Sequence, residues 1–251
     1  MKKRIIPILL LFENKLIITI NFTQKIYIGD PINAVRIFNS LKADELIILD
    51  IGSRINKPSD DKIIFAMFDE AFMPISFGGG IGQARNPIEI LKSGAERLII
   101  NSQFFLNDLD ILSLSKILGS QSLVGSIDLY FDNHKNEYCL YSPHLSKGVS
   151  YKEIINKINK LNIGELMINF VDKDGTFSGL NINFFNEIKK YTNIPIIACG
   201  GASSLDDMIL SIKFGNCNAA AAGALFVLKK NDINSVMINY PSQAELTNAF
   251  K

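Results

Sequence analysis

Histidine and cysteine are scarce in this chain, and it has no large imbalance of charge. Two histidines, His134 and His144, stand among 251 residues, too few ligands for a histidine-based metal centre. The three cysteines, Cys139, Cys199 and Cys217, are odd in number and widely spaced. That argues against a disulfide framework and for a reducing compartment. No metal or cofactor is expected. Twenty-six Lys and Arg against twenty-five Asp and Glu leave a formal net charge of +1. Such a balance supplies no overall field for nucleic acid or an anionic membrane. Missing too is any run approaching the ~18 apolar residues of a membrane span. The apolar stretch Ile5 to Leu11 is short, holds Pro7, and is followed by Phe12-Glu13-Asn14 rather than a small-residue cleavage site. It reads as a buried strand, not a secretion signal, and a cytoplasmic protein is expected.

With 47% hydrophobic and 20% charged residues, the chain can bury one large core or two small ones. Short apolar runs alternate with segments of helical period, the pattern of βαβ units around a parallel sheet buried on both faces. Strands are expected at Ile5 to Leu11, Glu45 to Asp50, Pro74 to Phe77, Arg97 to Ile100, Leu123 to Leu129, Glu165 to Phe170, Pro195 to Ala198 and Ala219 to Ala222. Helices are expected at Pro31 to Leu41 behind an Asp30 cap, Asp60 to Phe72 behind Ser59, Pro87 to Lys92, Asp110 to Leu118, Tyr151 to Leu161, Asn183 to Tyr191, Leu205 to Phe214 and Gln243 to Phe250. Eight strand–helix pairs in this length predict an α/β fold, a (β/α)8 TIM barrel.

The chain also repeats itself at roughly 121 residues. Asp44-Glu45-Leu46-Ile47-Ile48-Leu49 echoes Gly164-Glu165-Leu166-Met167-Ile168-Asn169, and Met73-Pro74-Ile75 leading to Gly79-Gly80 echoes Ile194-Pro195-Ile196 leading to Gly200-Gly201. With no Pro/Ser-rich linker at the midpoint, residues 1–251 are expected to form a single barrel of two half-barrels, approximately 1–120 and 121–251. Two insertions, Phe12 to Gly29 and Tyr130 to Gly148, follow the ends of strands one and five, on the face where barrel active sites lie.

Several residues could carry chemistry. Gly78-Gly79-Gly80 after strand three and Gly200-Gly201-Ala202 after strand seven bring bare backbone to the C-terminal rim, where N–H groups can approach a phosphate. Asn101-Ser102 could complete the first cradle and Ala222-Gly223 the second, suggesting an elongated substrate with a phosphate at each end. A single glycine pair would equally serve a tight turn. Asp128, ending strand five, could be a general acid or base. Asp174-Gly175, after strand six, is also a common turn former. At the opposite end Arg4, Glu45, Arg97 and Glu165 stand at strand beginnings, where they could form a ring of alternating charge. Residues there usually serve stability.

Taken in order, Arg4-Ile5-Ile6-Pro7, Gly29-Asp30-Pro31, Asp44-Glu45-Leu46, Gly78-Gly79-Gly80-Ile81, Ile100-Asn101-Ser102, Ile127-Asp128, Asp172-Lys173-Asp174-Gly175-Thr176 and Pro195-Ile196-Ile197-Ala198-Cys199-Gly200-Gly201-Ala202 resemble the cyclase subunit of imidazole glycerol phosphate synthase, HisF. The resemblance implies a glutaminase subunit docked on the N-terminal barrel face, forming a heterodimer. It further implies ammonia passing through the barrel to a bis-phosphorylated ribulosyl substrate, which yields an imidazole ring and aminoimidazole ribotide. It places the family's ammonia gate on Arg4, Glu45, Arg97 and Glu165, its phosphate contacts on Gly80, Asn101, Ser102, Gly175, Gly201, Ala222 and Gly223, and its general acid on Asp128.

One departure matters. Where the family carries an essential strand-one aspartate this chain has Leu10, and Ile18 replaces a substrate-binding lysine. Glu13, on a loop, is the nearest alternative carboxylate. A general base commonly contributes about 10² to 10⁴ in rate, so Leu10 should cripple the cyclisation. The pattern Leu10-Leu11, Asn21-Phe22 and Tyr27-Ile28-Gly29-Asp30-Pro31 resembles a paralogous branch associated with surface-polysaccharide biosynthesis. In that branch ammonia is thought to reach an amidotransferase that turns a sugar acetamido group into an acetamidino group. Three readings stand side by side: a specialised ammonia-channelling subunit, a working histidine-pathway cyclase with an unusual site, and a binding barrel without an ammonia path. The related isomerase of the same pathway is the runner-up within the fold, and Leu10 counts against it equally.

Overall fold

The computed structural model describes residues 3–101, 111–142, 148–229 and 232–250. Its centre is a closed barrel. In chain order the strands of the main sheet are β1 (Arg4–Phe12), β2 (Lys15–Ile20), β3 (Gln24–Gly29), β4 (Leu46–Asp50), β5 (Ile75–Gly78), β6 (Arg97–Ile100), β7 (Leu123–Asp132), β8 (Glu137–Leu140), β9 (Glu165–Phe170), β10 (Ile196–Cys199) and β11 (Ala219–Ala222). Eight of them, β1, β4, β5, β6, β7, β9, β10 and β11, pair in parallel in that order, and β11 returns to β1 through Arg4 opposite Ala219. This is the expected (β/α)8 architecture.

Side chains alternate in and out of the barrel wall with the two-residue period of a strand. One set, Ile6, Ile8, Ile47, Ile99, Val124, Met167, Ile197, Ala219 and Ala221, forms its own apolar cluster in the interior. The other, including Ile5, Leu46, Ile48, Leu98, Leu166, Ile168 and Ile196, joins the larger core under the helices. Both insertions form antiparallel hairpins at the C-terminal end: β1 runs on into β2 and β3, and β7 into β8.

Most helices begin where capping residues place them. The Asp30 carboxylate accepts from the Asn33 N–H at 2.7 Å ahead of α1 (Pro31–Ser40). The second helix differs from expectation: α2 (Asp61–Glu70) is capped by Asp60, which accepts from the Lys62 N–H at 2.9 Å. Ser59 is instead drawn inward, donating its N–H and hydroxyl to the buried Asp50 carboxylate at 2.9 and 3.3 Å. A buried carboxylate must fill its lone pairs, and that demand outweighs an exposed cap. The helix expected from Asn183 starts at Ile182 behind an Asn181 cap and stops at Ile188, and the one expected to reach Leu161 stops at Ile158. Asp110, the expected start of the helix now seen at Ile111–Leu118, lies outside the described residues. Among the described residues no helix is long and apolar enough to cross a membrane.

Candidate functional site

At the N-terminal end of the barrel Arg4, Glu45, Arg97 and Glu165 close into one ring. Each begins or directly precedes an interior-facing strand position, so the four heads converge on the axis. Arg4 donates to Glu45 at 2.8 Å and to Glu165; Arg97 donates to Glu165 at 2.5 Å and forms an ion pair with Glu45. Ser76 adds a hydroxyl donor to Glu45 at 3.1 Å. The ring is shielded: side-chain exposure is 13% and 16% for the arginines, 2% and 6% for the glutamates. Burial alone would depress the Arg4 guanidinium, but Glu45 and Glu165 outweigh it and hold it above the ordinary arginine value. One donor of the ring, Arg4 Nε, is buried without a hydrogen-bond partner.

At the C-terminal mouth the glycine turns occupy equivalent places. A Cβ on Gly79, at φ +123°, would fall 2.4 Å from the Asp50 carbonyl oxygen; one on Gly200, at φ +91°, would fall 2.5 Å from the Phe170 nitrogen. Each turn therefore needs glycine twice over, for its backbone angle and for close packing on the loop of the preceding strand. Gly80 and Gly201 follow them, Asn101 lies at the end of β6, and Ala222 and Gly223 lie at the end of β11 beside Ile18. Ser102 lies outside the described residues. Asp174 is committed to the hairpin: its carboxylate accepts from the Thr19 hydroxyl at 2.5 Å and its carbonyl from the Asn21 N–H at 2.9 Å. Burial pushes this carboxyl up to about 6, against the Thr19 and Phe22 donors, while the charge of Asp128 adds to the rise. Gly175 packs beneath the same hairpin, where a Cβ would lie 2.3 Å from the Thr19 carbonyl oxygen.

Asp128 sits on β7 with its carboxylate nearly buried. Three side chains donate to it: Arg54 at 2.7 Å, Asn101 at 2.9 Å and Asn169 at 3.3 Å. Asn169 keeps its carbonyl oxygen buried and without a partner. Leu10 pairs with Leu49 across β1 and β4 and packs on the interior apolar cluster. Apolar carbon thus fills the place where the resemblance puts a carboxylate. Glu13 is tied on the surface to Lys57 at 2.7 Å.

Three of these side chains were not singled out in the sequence. Arg54 has no periodic or motif signal, and Asn169 appears in the sequence only as the last residue of the repeat; strand pairing brings Asn169 to Asp128, and barrel closure brings Arg54 across the mouth. Arg85 stood beyond the first glycine turn, and in the fold it is buried. It donates to Asp61 at 2.6 Å, to the Ser53 hydroxyl and the Gly79 carbonyl at 2.9 Å each, and to the Ser59 carbonyl at 2.7 Å, and it forms an ion pair with Asp50 at 2.9 Å. It rivets the loops after β4 and β5 beneath the first cradle. The cysteines are all buried, and burial raises every thiol, Cys217 to about 12, which disfavours the thiolate a nucleophile needs.

Comparison with known proteins accords with this layout. Residues 4–232 match the family described as histidine biosynthesis protein. A HisF-named protein of Leptospira borgpetersenii is 38% identical over 245 residues, covering 96% of each chain. The hisF3-named protein of Vibrio vulnificus is 35% identical over 254 residues, covering 100% of this chain and 97% of its own. Both are provisionally named imidazole glycerol phosphate synthase subunits. The imidazole glycerol phosphate synthase subunit HisF of Leuconostoc mesenteroides is 30% identical over 227 residues, 89% of each chain. A barrel of this architecture with matches of this extent belongs to the HisF family of imidazole glycerol phosphate synthase cyclase subunits, on its paralogous HisF-like branch.

Proposed function

We propose that this chain receives ammonia from a glutaminase subunit at its N-terminal face and delivers it to the C-terminal mouth for the amidination of a surface-polysaccharide sugar, without performing the family's cyclisation. The HisF family normally pairs with a glutaminase. The observation that carries the reading is the four-residue ion ring, present in a chain that has Leu10 where the resemblance puts the strand-one carboxylate. A mere stability device would not need to sit across the axis. Above the ring the interior is lined by Ile6, Ile8, Ile47, Ile99, Val124, Met167 and Ile197. Such a lining admits neutral ammonia and rejects ammonium, whose charge would lose its hydration. At the upper end the unpartnered Asn169 carbonyl oxygen offers an acceptor for an ammonia N–H.

For ammonia to pass, an arginine must leave the ring. Arg4 and Arg97 are the more exposed members, and each shares both glutamates, so one can swing outward while the other keeps the carboxylates neutralised. Mixing the chain with its partner glutaminase tests this. Glutamine hydrolysis should rise, and Glu165→Ala or Arg97→Ala should alter ammonia transfer. Unchanged hydrolysis in the mixture would contradict the reading.

A second reading is a functional cyclase, favoured by the two glycine turns and by Asp128 at its expected place. In that case purified protein with ammonium would convert the ribulosyl substrate, and Asp128→Asn would abolish the turnover.

A further inference from the structure

The strongest unexplained feature is a cation that the mouth did not need. Arg54 lies in the turn that follows β4, the second barrel strand, whereas Asp128 lies on β7, the fifth. Two barrel strands stand between them, so the 2.7 Å ion pair is a bar across the opening rather than a contact between neighbours. Above the bar lies Phe22, at the tip of the β2–β3 hairpin: the guanidinium carbon is 5.7 Å from its ring centroid. Phe22 in turn meets Tyr141, just beyond β8, edge-on at 5.8 Å. Hairpin, guanidinium and carboxylate are therefore stacked over the interior, and the hairpin is held down by Thr19 and Asn21 on Asp174.

We propose that Arg54 is a specificity-determining residue: it holds Asp128 as a counter-ion and bars the mouth against an elongated bis-phosphorylated substrate. The proposal deepens the reading above and rests on it. A carboxylate that accepts from Arg54, Asn101 and Asn169 at once has most of its lone pairs filled and little freedom to turn toward a substrate. Leu10 removes one of the two groups that proton transfer requires, and Arg54 immobilises the other. A bar of side chains still passes a molecule as small as ammonia, while a substrate spanning both glycine turns has to break it. Breaking the pair leaves a nearly buried carboxylate without its partner, a cost that substrate binding would bear.

The test turns on a sign. An arginine in a phosphate-binding mouth ordinarily contributes to anion affinity, and removing it weakens binding. Here removal should strengthen it. Calorimetric titration with the family's bis-phosphorylated ribulosyl substrate as the probe should show Arg54→Ala binding at least tenfold more tightly than the unaltered chain, a difference of 1.4 kcal/mol. Arg54→Met keeps an aliphatic stem beneath Phe22 and carries the same expectation, so a folding defect in one variant leaves the other to decide. Equal or weaker affinity in the folded variants would overturn the proposal, making Arg54 either an ornament or a phosphate contact. Glutaminase stimulation by the unaltered chain is measured separately. Its failure would contradict the ammonia reading without changing the sign of the affinity difference.

Discussion

Replacing Glu45 by Gln changes one atom in shape and one unit of charge at the centre of the ring. Glu45 is 2% exposed, accepts from Arg4 and Ser76, and is ion-paired with Arg97. The amide keeps one acceptor oxygen and turns an NH2 group toward a guanidinium, so two partly buried arginines are left to share Glu165. Breaking a buried pair by removing one partner costs about 3–5 kcal/mol, because an uncompensated charge remains inside. For a chain of this length each kcal/mol lowers the melting temperature by about 2–4 °C, so Glu45→Gln should lower it by about 6–20 °C. Circular dichroism melts at neutral pH read this, with denaturant unfolding as the check. Glu45→Gln combined with Arg97→Met restores neutrality and should recover a substantial part of the loss. By contrast Lys57→Met, which breaks the exposed pair with Glu13, should leave the midpoint where it was. A single Glu45→Gln variant melting within about 2 °C of the native chain would refute the reasoning, since the ring would then be a solvated cluster.

Three further outcomes follow from other parts of the fold. Asp174 binds its proton more tightly folded than unfolded, so its contribution to stability is complete below about 4 and is lost as pH rises through about 6. Asp174→Asn should flatten the fall in stability across that window, by at most roughly 3 kcal/mol, in denaturant titrations from pH 4 to 7. Gly79→Ala and Gly200→Ala should each destabilise by about 1–3 kcal/mol, since an added Cβ meets backbone atoms at 2.4 and 2.5 Å in a positive-φ turn. Equal melting temperatures for variant and native chains would contradict that packing. Cys139, Cys199 and Cys217 should resist a thiol reagent at pH 8 until the chain is unfolded, read as the absorbance of released label.

The barrel was legible because its signals are local: short apolar runs of strand length, rich in Ile and Leu, alternate with capped helical segments. The ring was legible for a related reason, since all four members stand at or directly before the first residue of a strand and the repeat aligns Glu45 with Glu165. Ser59 was misread because its competitor, the Asp50 carboxylate, reaches it only through the loop that folds back over β4. Arg54 and Asp128 stand 74 residues apart. Neither periodicity nor spacing marks a pair that exists only because the barrel closes and brings two non-neighbouring strands to one opening. Leu10 was visible as a departure, but the apolar contact it makes with Leu49 depends on strand register.

Nitrogen tracing tests the central claim most directly. The chain, its partner glutaminase and an amidotransferase acting on an acetamido sugar would be given amide-15N glutamine in the presence of excess unlabelled ammonium. Delivery through the barrel predicts an amidinated sugar enriched in 15N well above the bulk ammonium, with Glu165→Ala erasing the enrichment. Product whose label equals that of the bulk pool in the unaltered complex would contradict the account.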